Sequence, residues 1–262
     1  MRPAGRLGHV DEDRVRYFLK RMIGQAVDLP EHSVVTCDVA PDAPFTAIGD
    51  IHGRLDLLQD LLARHGTDQT LVFLGDYVDR GPSSAQVLAL LQELCTAQDV
   101  ICLKGNHEQM LLDFVDDPLG RGVGWLMHGG DATLRSYGIT QPKRDGDLLA
   151  ASTALEEAMP EGQLDWLRTL PLQWRSGNVF CVHAGMDPAK APDQQRSNTL
   201  IWGHPQFLTT PRTDGLWLVH GHTTVKRPQA EASRIAIDTG AYQSGILTAA
   251  EITQGACRFV ST

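Results

Sequence analysis

Three times in succession a short apolar run ends in a polar, glycine-bearing motif and then gives way to a helix-spaced stretch. Phe45-Thr46-Ala47-Ile48 leads into Gly49-Asp50-Ile51-His52-Gly53-Arg54, and Leu71-Val72-Phe73-Leu74 leads into GDYVDRGP, Gly75 to Pro82. Val100-Ile101-Cys102-Leu103 leads, past Lys104, into Gly105-Asn106-His107-Glu108. Behind the first motif Leu55, Leu58, Leu61 and Leu62 share one helical face, behind the second Val87, Leu88, Leu91 and Leu94 do, and 109–115 follows the third. This rhythm predicts βαβ units around a parallel sheet, hence an α/β fold. Each motif falls just past the carboxyl end of its strand, the edge where open α/β sheets bind ligands.

The rest of the chain is read against that unit. Residues 1–44 are expected to form an amphipathic helix over 11–25, with Val15, Phe18, Leu19 and Met22 on one face, and an irregular connector over 26–44 with three prolines. Residues 45–262 are expected to be one domain, interrupted at about 116–175 by a helical insert that begins with glycine-rich RGVGW and HGGDAT. Its helices are expected near 148–158 and 161–169. After Pro171, strands at 178–182, 216–219, 234–238 and 245–251 lack long helices between them and predict a second, mixed sheet. At 262 residues this fits one large α/β unit.

No run of eighteen apolar residues is present, which argues against a membrane span, and the first residues lack the apolar core of a secretory signal. Five cysteines in no metal or disulfide spacing read as reduced packing residues of a cytoplasmic protein. A net charge of −9 argues against a nucleic-acid partner, although bound divalent cations would reverse the sign locally for a phosphorylated substrate.

Six side chains of metal-ligating type end five of the strands: Asp50, His52, Asp76, Asn106, His183 and His222. Carboxylate, imidazole and amide donors without thiolate suit a catalytic divalent ion such as Mn²⁺, Fe²⁺ or Zn²⁺. Six are too many for one open ion, but they fit a pair about 3.5–4 Å apart sharing a carboxylate, and such a pair makes hydroxide from water near neutral pH. Asp76, in the GDYVDRGP loop, is the expected bridge, with Arg80 beside it to hold a phosphate.

In that order these motifs resemble the phosphoprotein phosphatase family of metallophosphoesterases, across roughly residues 45 to 252. GDxHG matches Gly49–Gly53, GDxVDRG matches Gly75–Gly81, GNHE matches Gly105–Glu108, and His-Ala-Gly and Gly-His-Thr match 183–185 and 221–223. GGDATLRSYG and IDTGAYQSGILT look most like the bacterial serine/threonine phosphatase branch. The resemblance implies a calcineurin-like fold, two mixed β-sheets in a sandwich flanked by helices, around two divalent ions, Mn²⁺ first and Fe or Zn as alternatives. It implies that Asp50 and His52 bind the first ion, that Asp76 bridges, and that Asn106, His183 and His222 bind the second. His107 would be the general acid oriented by Asp79, and Arg80 would fork two phosphate oxygens.

The implied reaction is in-line attack of a dimetal-bridging hydroxide on phosphoserine or phosphothreonine in a phosphoprotein or phosphopeptide. Asn106, Arg54, His204 and Tyr242 are further candidate substrate contacts. His204 stands where the bacterial branch usually carries a second phosphate-binding arginine, and Arg54 is a candidate to compensate. His220 could be a ligand or a neighbour of one, since strand alternation points it the same way as His222. His9, His32, His65 and His128 read as surface or packing residues. Two alternatives stand beside this reading. One is a symmetrical dinucleoside-polyphosphate hydrolase, whose family generally lacks the acid at Asp79 and reads Asn-His-Asp at 106–108. The other is a non-catalytic phosphoprotein-binding module.

Overall fold

The computed structural model describes residues 34–65, 69–97, 99–143 and 145–262. The helix expected over 11–25, with His9 and His32, lies outside them. The connector expected up to residue 44 holds a strand, β1 (Val34–Thr36), antiparallel to Ala256–Arg258. Then come β2 (Phe45–Ile48), α1 (Leu55–His65), β3 (Thr70–Phe73), α2 (Ser84–Ala97), β4 (Val100–Cys102) and α3 (Asn106–Asp116). β2, β3 and β4 are parallel neighbours, as the strand–motif–helix rhythm predicts.

The helical insert consists of α4 (Pro118–Trp125), a π turn (Leu126–Gly130), α5 (Asp131–Ser136), α6 (Asp145–Ala158) and α7 (Gln163–Thr169). Glycine-rich RGVGW, expected ahead of the helices, is itself helical. Pro118 sits in the first turn, the Asp117 carboxylate accepts from Gly120 N–H at 3.0 Å, and buried Trp125 anchors the far end on Phe114. Cap and anchor outweigh the intrinsic cost of the glycines.

The chain continues through β5 (Gln173–Ser176), β6 (Val179–Val182), α8 (Ser197–Trp202), β7 (Trp217–His220), β8 (Gln229–Glu231) and β9 (Arg234–Ala236). It closes with α9 (Ala241–Ser244), β10 (Thr248–Thr253) and β11 (Ala256–Ser261). Strand order is β1-β11-β10-β2-β3-β4 in one sheet and β5-β6-β7-β9-β8 in the other, and both are mixed. The stretch 245–251, expected in the second sheet, instead supplies β10 to the first, with Ala249 opposite Ile48 and Ile252 opposite Phe45. The reason is its two apolar faces: Ala249 packs among the helices, whereas Ala250 and Ile252 pack between the sheets. A strand buried on both sides belongs in a sheet centre.

The same alternation builds the sandwich. Leu71 and Phe73 face the helices while Val72 and Leu74 face the second sheet, where they meet Val179, Cys181, Val219 and Ile235. Phe180, Val182 and Leu218 take the outer face of that sheet with Met186, Leu200 and Phe207. No helix among the described residues is long and apolar enough to cross a membrane.

Candidate active site

The carboxyl ends of β2, β3 and β4 and those of β6, β7 and β9 meet along one rim of the sandwich, so six loops drawn from two sheets converge. Gly75 makes the approach possible. It has φ 108°, and a Cβ there would lie 2.6 Å from Gly105 N and 3.0 Å from His183 Nδ1. Five of the seven described non-glycine residues with positive φ lie on this rim: His52, Asp76, Asp79, Arg80 and His222. Such conformations cost about 1–3 kcal/mol each and persist only where the surroundings enforce them.

Glu108 supplies much of that enforcement. Its carboxylate, fully buried, accepts the N–H groups of Asp76 (2.8 Å), Tyr77 (2.7 Å), Val78 (3.3 Å) and Gly105 (2.9 Å). It thereby fixes the loop after β3 and caps the start of α3 by accepting the Gly105 N–H. That cap makes Asn106 and His107 the first residues of the helix, ahead of the start expected at 109. Burial, and then the charge of Asp76, push Glu108 up to about 7.

The ligand-type side chains gather as acceptors. His183 Nδ1 lies 3.0 Å from the Leu74 carbonyl, which can only accept, so the ring proton sits there and Nε2 presents a lone pair. That lone pair faces two more acceptors, Asn106 Oδ1 at 2.9 Å and Asp76 Oδ1 at 3.3 Å. His222 Nδ1 also lies 2.9 Å from Asn106 Oδ1. On the other side of Asp76, His52 gives its Nδ1 proton to Val78 O at 2.8 Å and turns Nε2 toward Asp76 Oδ2 at 3.6 Å. Asp50 lies alongside, accepting His222 N–H at 3.2 and 3.1 Å.

Burial keeps the imidazoles neutral, pushing His52 down to about 3, His222 to about 4, and His183 below its ordinary value. Burial alone would raise Asp76, but His183, His107 and His52 hold it below the usual carboxylate range. Asp50 is pushed well up, by burial and then by Asp238 and Asp76. Converging lone pairs among five buried carboxylates (Asp50, Asp76, Asp79, Glu108 and Asp238) fit divalent cations. Two ligand-type clusters share Asp76, one with His52 and His107, the other with His183 and His222.

Saturating Mn²⁺ is therefore expected to raise the melting temperature over chelated protein by about 5–10 °C, from the roughly 2.7 kcal/mol that binding contributes at a hundredfold excess over Kd. An unchanged melting temperature in differential scanning fluorimetry would contradict the fit.

His107 stands beside the cluster with its Nε2 3.9 Å from Asp76 Oδ2 and its Nδ1 2.7 Å from Asp79 Oδ2. Burial lowers its affinity for a proton, yet Asp76 and then Asp79 outweigh this and hold it above the ordinary imidazole value. The insert completes the pair. Trp125 Nε1–H donates to Asp79 Oδ2 at 2.9 Å and Thr133 Oγ1–H to Asp79 Oδ1 at 2.6 Å. Neither partner was read as such from the sequence. Asp238, just past β9, was also missed. Its Oδ1 accepts Gly240 N–H at 2.8 Å, its Oδ2 accepts Thr224 Oγ1–H at 2.9 Å, and it was legible only as part of the IDTG match.

Arg80 lies at the open side. Its guanidinium donates to His52 Nε2 at 2.8 Å and lies 4.7 Å from the centre of the Tyr242 ring, which meets His52 edge-on at 5.4 Å. Arg80 N–H donates to Gly129 O at 3.1 Å, and a Cβ on Gly129 (φ 101°) would fall 2.8 Å from Arg80 Cγ. Gly129→Ala is therefore expected to displace Arg80 and lower kcat/KM for phosphate esters about tenfold or more, with a loss of about 1–3 kcal/mol in stability. Wild-type kinetics in that variant would show that the π turn does not position Arg80.

The other candidates are engaged elsewhere. Arg54 is forked on Asp56 at 2.9 and 2.6 Å and donates to Ala241 O at 2.9 Å. His204 Nε2 is 3.8 Å from Asp187 Oδ2, and its Nδ1 accepts from Gln206 N–H. His220 is buried edge-on against Phe207 and bonds Gly221 O at 3.0 Å. Alternation fails between His220 and His222 because the strand ends at His220 and His222 turns to φ 60°.

The chain matches the calcineurin-like phosphoesterase family over residues 43–239. It is 30% identical to the asymmetrical bis(5'-nucleosyl)-tetraphosphatase PrpE of Geobacillus sp. (strain WCH70), covering 77% of this chain and 87% of the relative. It is 32% identical to serine/threonine-protein phosphatase 1 of Salmonella typhimurium, covering 78% and 90%. Its fold is similar to a crystal structure provisionally described as a diadenosine tetraphosphatase, with TM-score 0.60, 23% identity, and coverage of 84% of this chain and 94% of the other.

Proposed function

Because the chain belongs to the calcineurin-like phosphoesterases, we propose that it hydrolyses phosphate monoesters, most favourably those of serine and threonine in proteins. The observation that carries the reading is the buried His107–Asp79 pair. A serine alkoxide is a poor leaving group, and a held proton beside it removes most of that difficulty. Asp79 keeps the Nδ1 proton of His107 in place, Trp125 and Thr133 keep Asp79 in place, and His107 Nε2 carries the proton to the departing oxygen. In this reading Arg80 forks two phosphate oxygens, with Tyr242 under its guanidinium, and Asn106 is a further substrate contact. Two divalent ions, Mn²⁺ in this reading, when held by Asp50, His52, Asp76, Asn106, His183 and His222, would supply the acidity that makes water a nucleophile and the charge that offsets the phosphate. Arg54 and His204 are further candidate substrate contacts, each needing to leave its carboxylate partner first.

A second reading is favoured by the names of the relatives: asymmetrical hydrolysis of a dinucleoside tetraphosphate, with a nucleotide as leaving group. It differs from the symmetrical cleavage weighed on sequence grounds. Turnover of phosphoserine and phosphothreonine peptides beside diadenosine tetraphosphate, with Mn²⁺ and with Asp76→Asn as blank, separates the two. Higher kcat/KM on peptides supports the first reading and the reverse order supports the second. No turnover of either, nor of p-nitrophenyl phosphate, would leave a binding module.

A further inference from the structure

On the helix side of the first sheet, away from the candidate ligands, two thiols touch. Cys95, in the last turn of α2, and Cys102, at the end of β4, have their Sγ atoms 3.3 Å apart. All five cysteines are free, but the other three stand differently: Cys181 and Cys257 are buried packing residues, and Cys37 faces the Val35 carbonyl. Cys95 and Cys102 are seven residues apart in a spacing that carries no motif, and it is the packing of α2 on β4 that brings them together. Their surroundings are unequal. Cys102 is 3% exposed, whereas Cys95 is only partly buried at the edge of the same core. Burial, and then Cys95, push the Cys102 thiol well up, so its proton stays and the S–H donates to Cys95 Sγ. That bond outweighs burial at Cys95 and holds it below the ordinary thiol value. The outer sulfur is the readier thiolate, and a protonated thiol lies against it from the inside.

We propose that Cys95 and Cys102 form a peroxide-reactive pair, in which Cys95 takes the oxidant and Cys102 resolves it as a reversible intramolecular disulfide. In the first step the Cys95 thiolate attacks one oxygen of hydrogen peroxide. The O–O bond breaks, a sulfenic acid forms on Cys95, and hydroxide leaves. In the second step the Cys102 sulfur attacks Cys95 Sγ, the S–O bond breaks, and the sulfenic oxygen departs as water with the Cys102 proton. Two thiols are oxidised by two electrons in all, and one peroxide is reduced. Bond formation shortens the contact from 3.3 Å to about 2.0 Å. Cys102 is held in the sheet opposite Phe73, so the movement falls to Cys95, two residues from the end of α2, where helices fray. The gain is chemical. A sulfenic acid with a thiol in contact is captured before a second peroxide carries it to sulfinic acid, which dithiols do not reverse. In a reducing compartment the disulfide is transient.

The test reads mass rather than activity, so it is independent of the reaction proposed above. Between Arg80 and Lys104 the chain has no Lys or Arg, and trypsin therefore releases both thiols in one peptide, 81–104. The full chain is exposed to hydrogen peroxide, alkylated in denaturant and digested. The wild-type peptide is expected to be lighter by two hydrogens and to escape alkylation, and dithiothreitol added before the alkylating agent should restore it. In Cys102→Ala, compared with wild type at equal loss of free Cys95, the peptide is expected to gain two oxygens in a form that dithiothreitol does not recover. Cys95→Ser is expected to leave Cys102 free for alkylation. Two results overturn the proposal. One is a wild-type peptide whose thiols both stay free under peroxide that oxidises cysteine in solution. The other is a wild-type Cys95 that reaches sulfinic acid as readily as it does in Cys102→Ala. The wild-type mass shift decides by itself if a variant fails to fold.

Discussion

Asp76→Asn is expected to lower turnover of every phosphate ester by about a thousandfold or more, toward the rate measured without enzyme. The figure follows from electrostatic groups at reacting centres, where one lost donor already costs about 10²–10³ in rate. Asp76 is the only carboxylate common to both ligand-type clusters, within 3.3 Å of His183 on one oxygen and 3.6 Å of His52 on the other. Asn is the same size, so the fold should persist, but it brings no charge and offers one acceptor where two are used. Asp76 also crowds Asp50, Glu108 and Asp238, each of which it pushes toward protonation. Removing it relieves that repulsion. Chelated Asp76→Asn should therefore melt no lower than chelated wild type while losing the rise on adding Mn²⁺. A variant that melts lower in chelator and yet keeps the Mn²⁺ rise would mean that Asp76 serves the fold and not the cations.

On the phosphoserine reading, His107→Asn is expected to lower peptide kcat by about 10²–10⁴, the usual contribution of general acid catalysis, and to leave KM close to wild type. Nothing in the structure makes His107 a binding group. It is buried, its Nδ1 is committed to Asp79, and its Nε2 points past Asp76 Oδ2. The loss should depend on the leaving group. p-Nitrophenolate is a weak base that departs without a proton, so kcat on p-nitrophenyl phosphate should fall far less than on peptide. Equal losses on both esters would assign His107 a purely structural role.

Much of this was legible in the sequence because the motifs of the candidate site are local. Asp50 with His52, Asp76 with Asp79 and Arg80, and Asn106 with His107 each lie within one loop, and the apolar run before each loop fixes which end of the strand it occupies. What stayed hidden depends on long-range packing. Trp125 and Thr133 reach Asp79 from 46 and 54 residues away, and nothing in glycine-rich RGVGW or HGGDAT says that the insert folds back over the acid. β10 joins the first sheet because both its faces are buried, which periodicity alone cannot assign to one sheet or the other. His128 opens HGGDAT, which gives no sign of its neighbour, and the π turn brings its ring 6.5 Å from that of His107. Glu108 was visible as the last residue of GNHE, but its four backbone bonds depend on the left-handed turn at Asp76.

The convergence of two sheets' loops on a shared aspartate is tested most directly by anomalous diffraction from crystals soaked in Mn²⁺. Two peaks are expected, one among Asp50, His52 and Asp76, the other among Asp76, Asn106, His183 and His222, with Asp76 touching both. A single peak away from Asp76, or none within that group of side chains at saturating Mn²⁺, would contradict a two-cation phosphoesterase site in this chain.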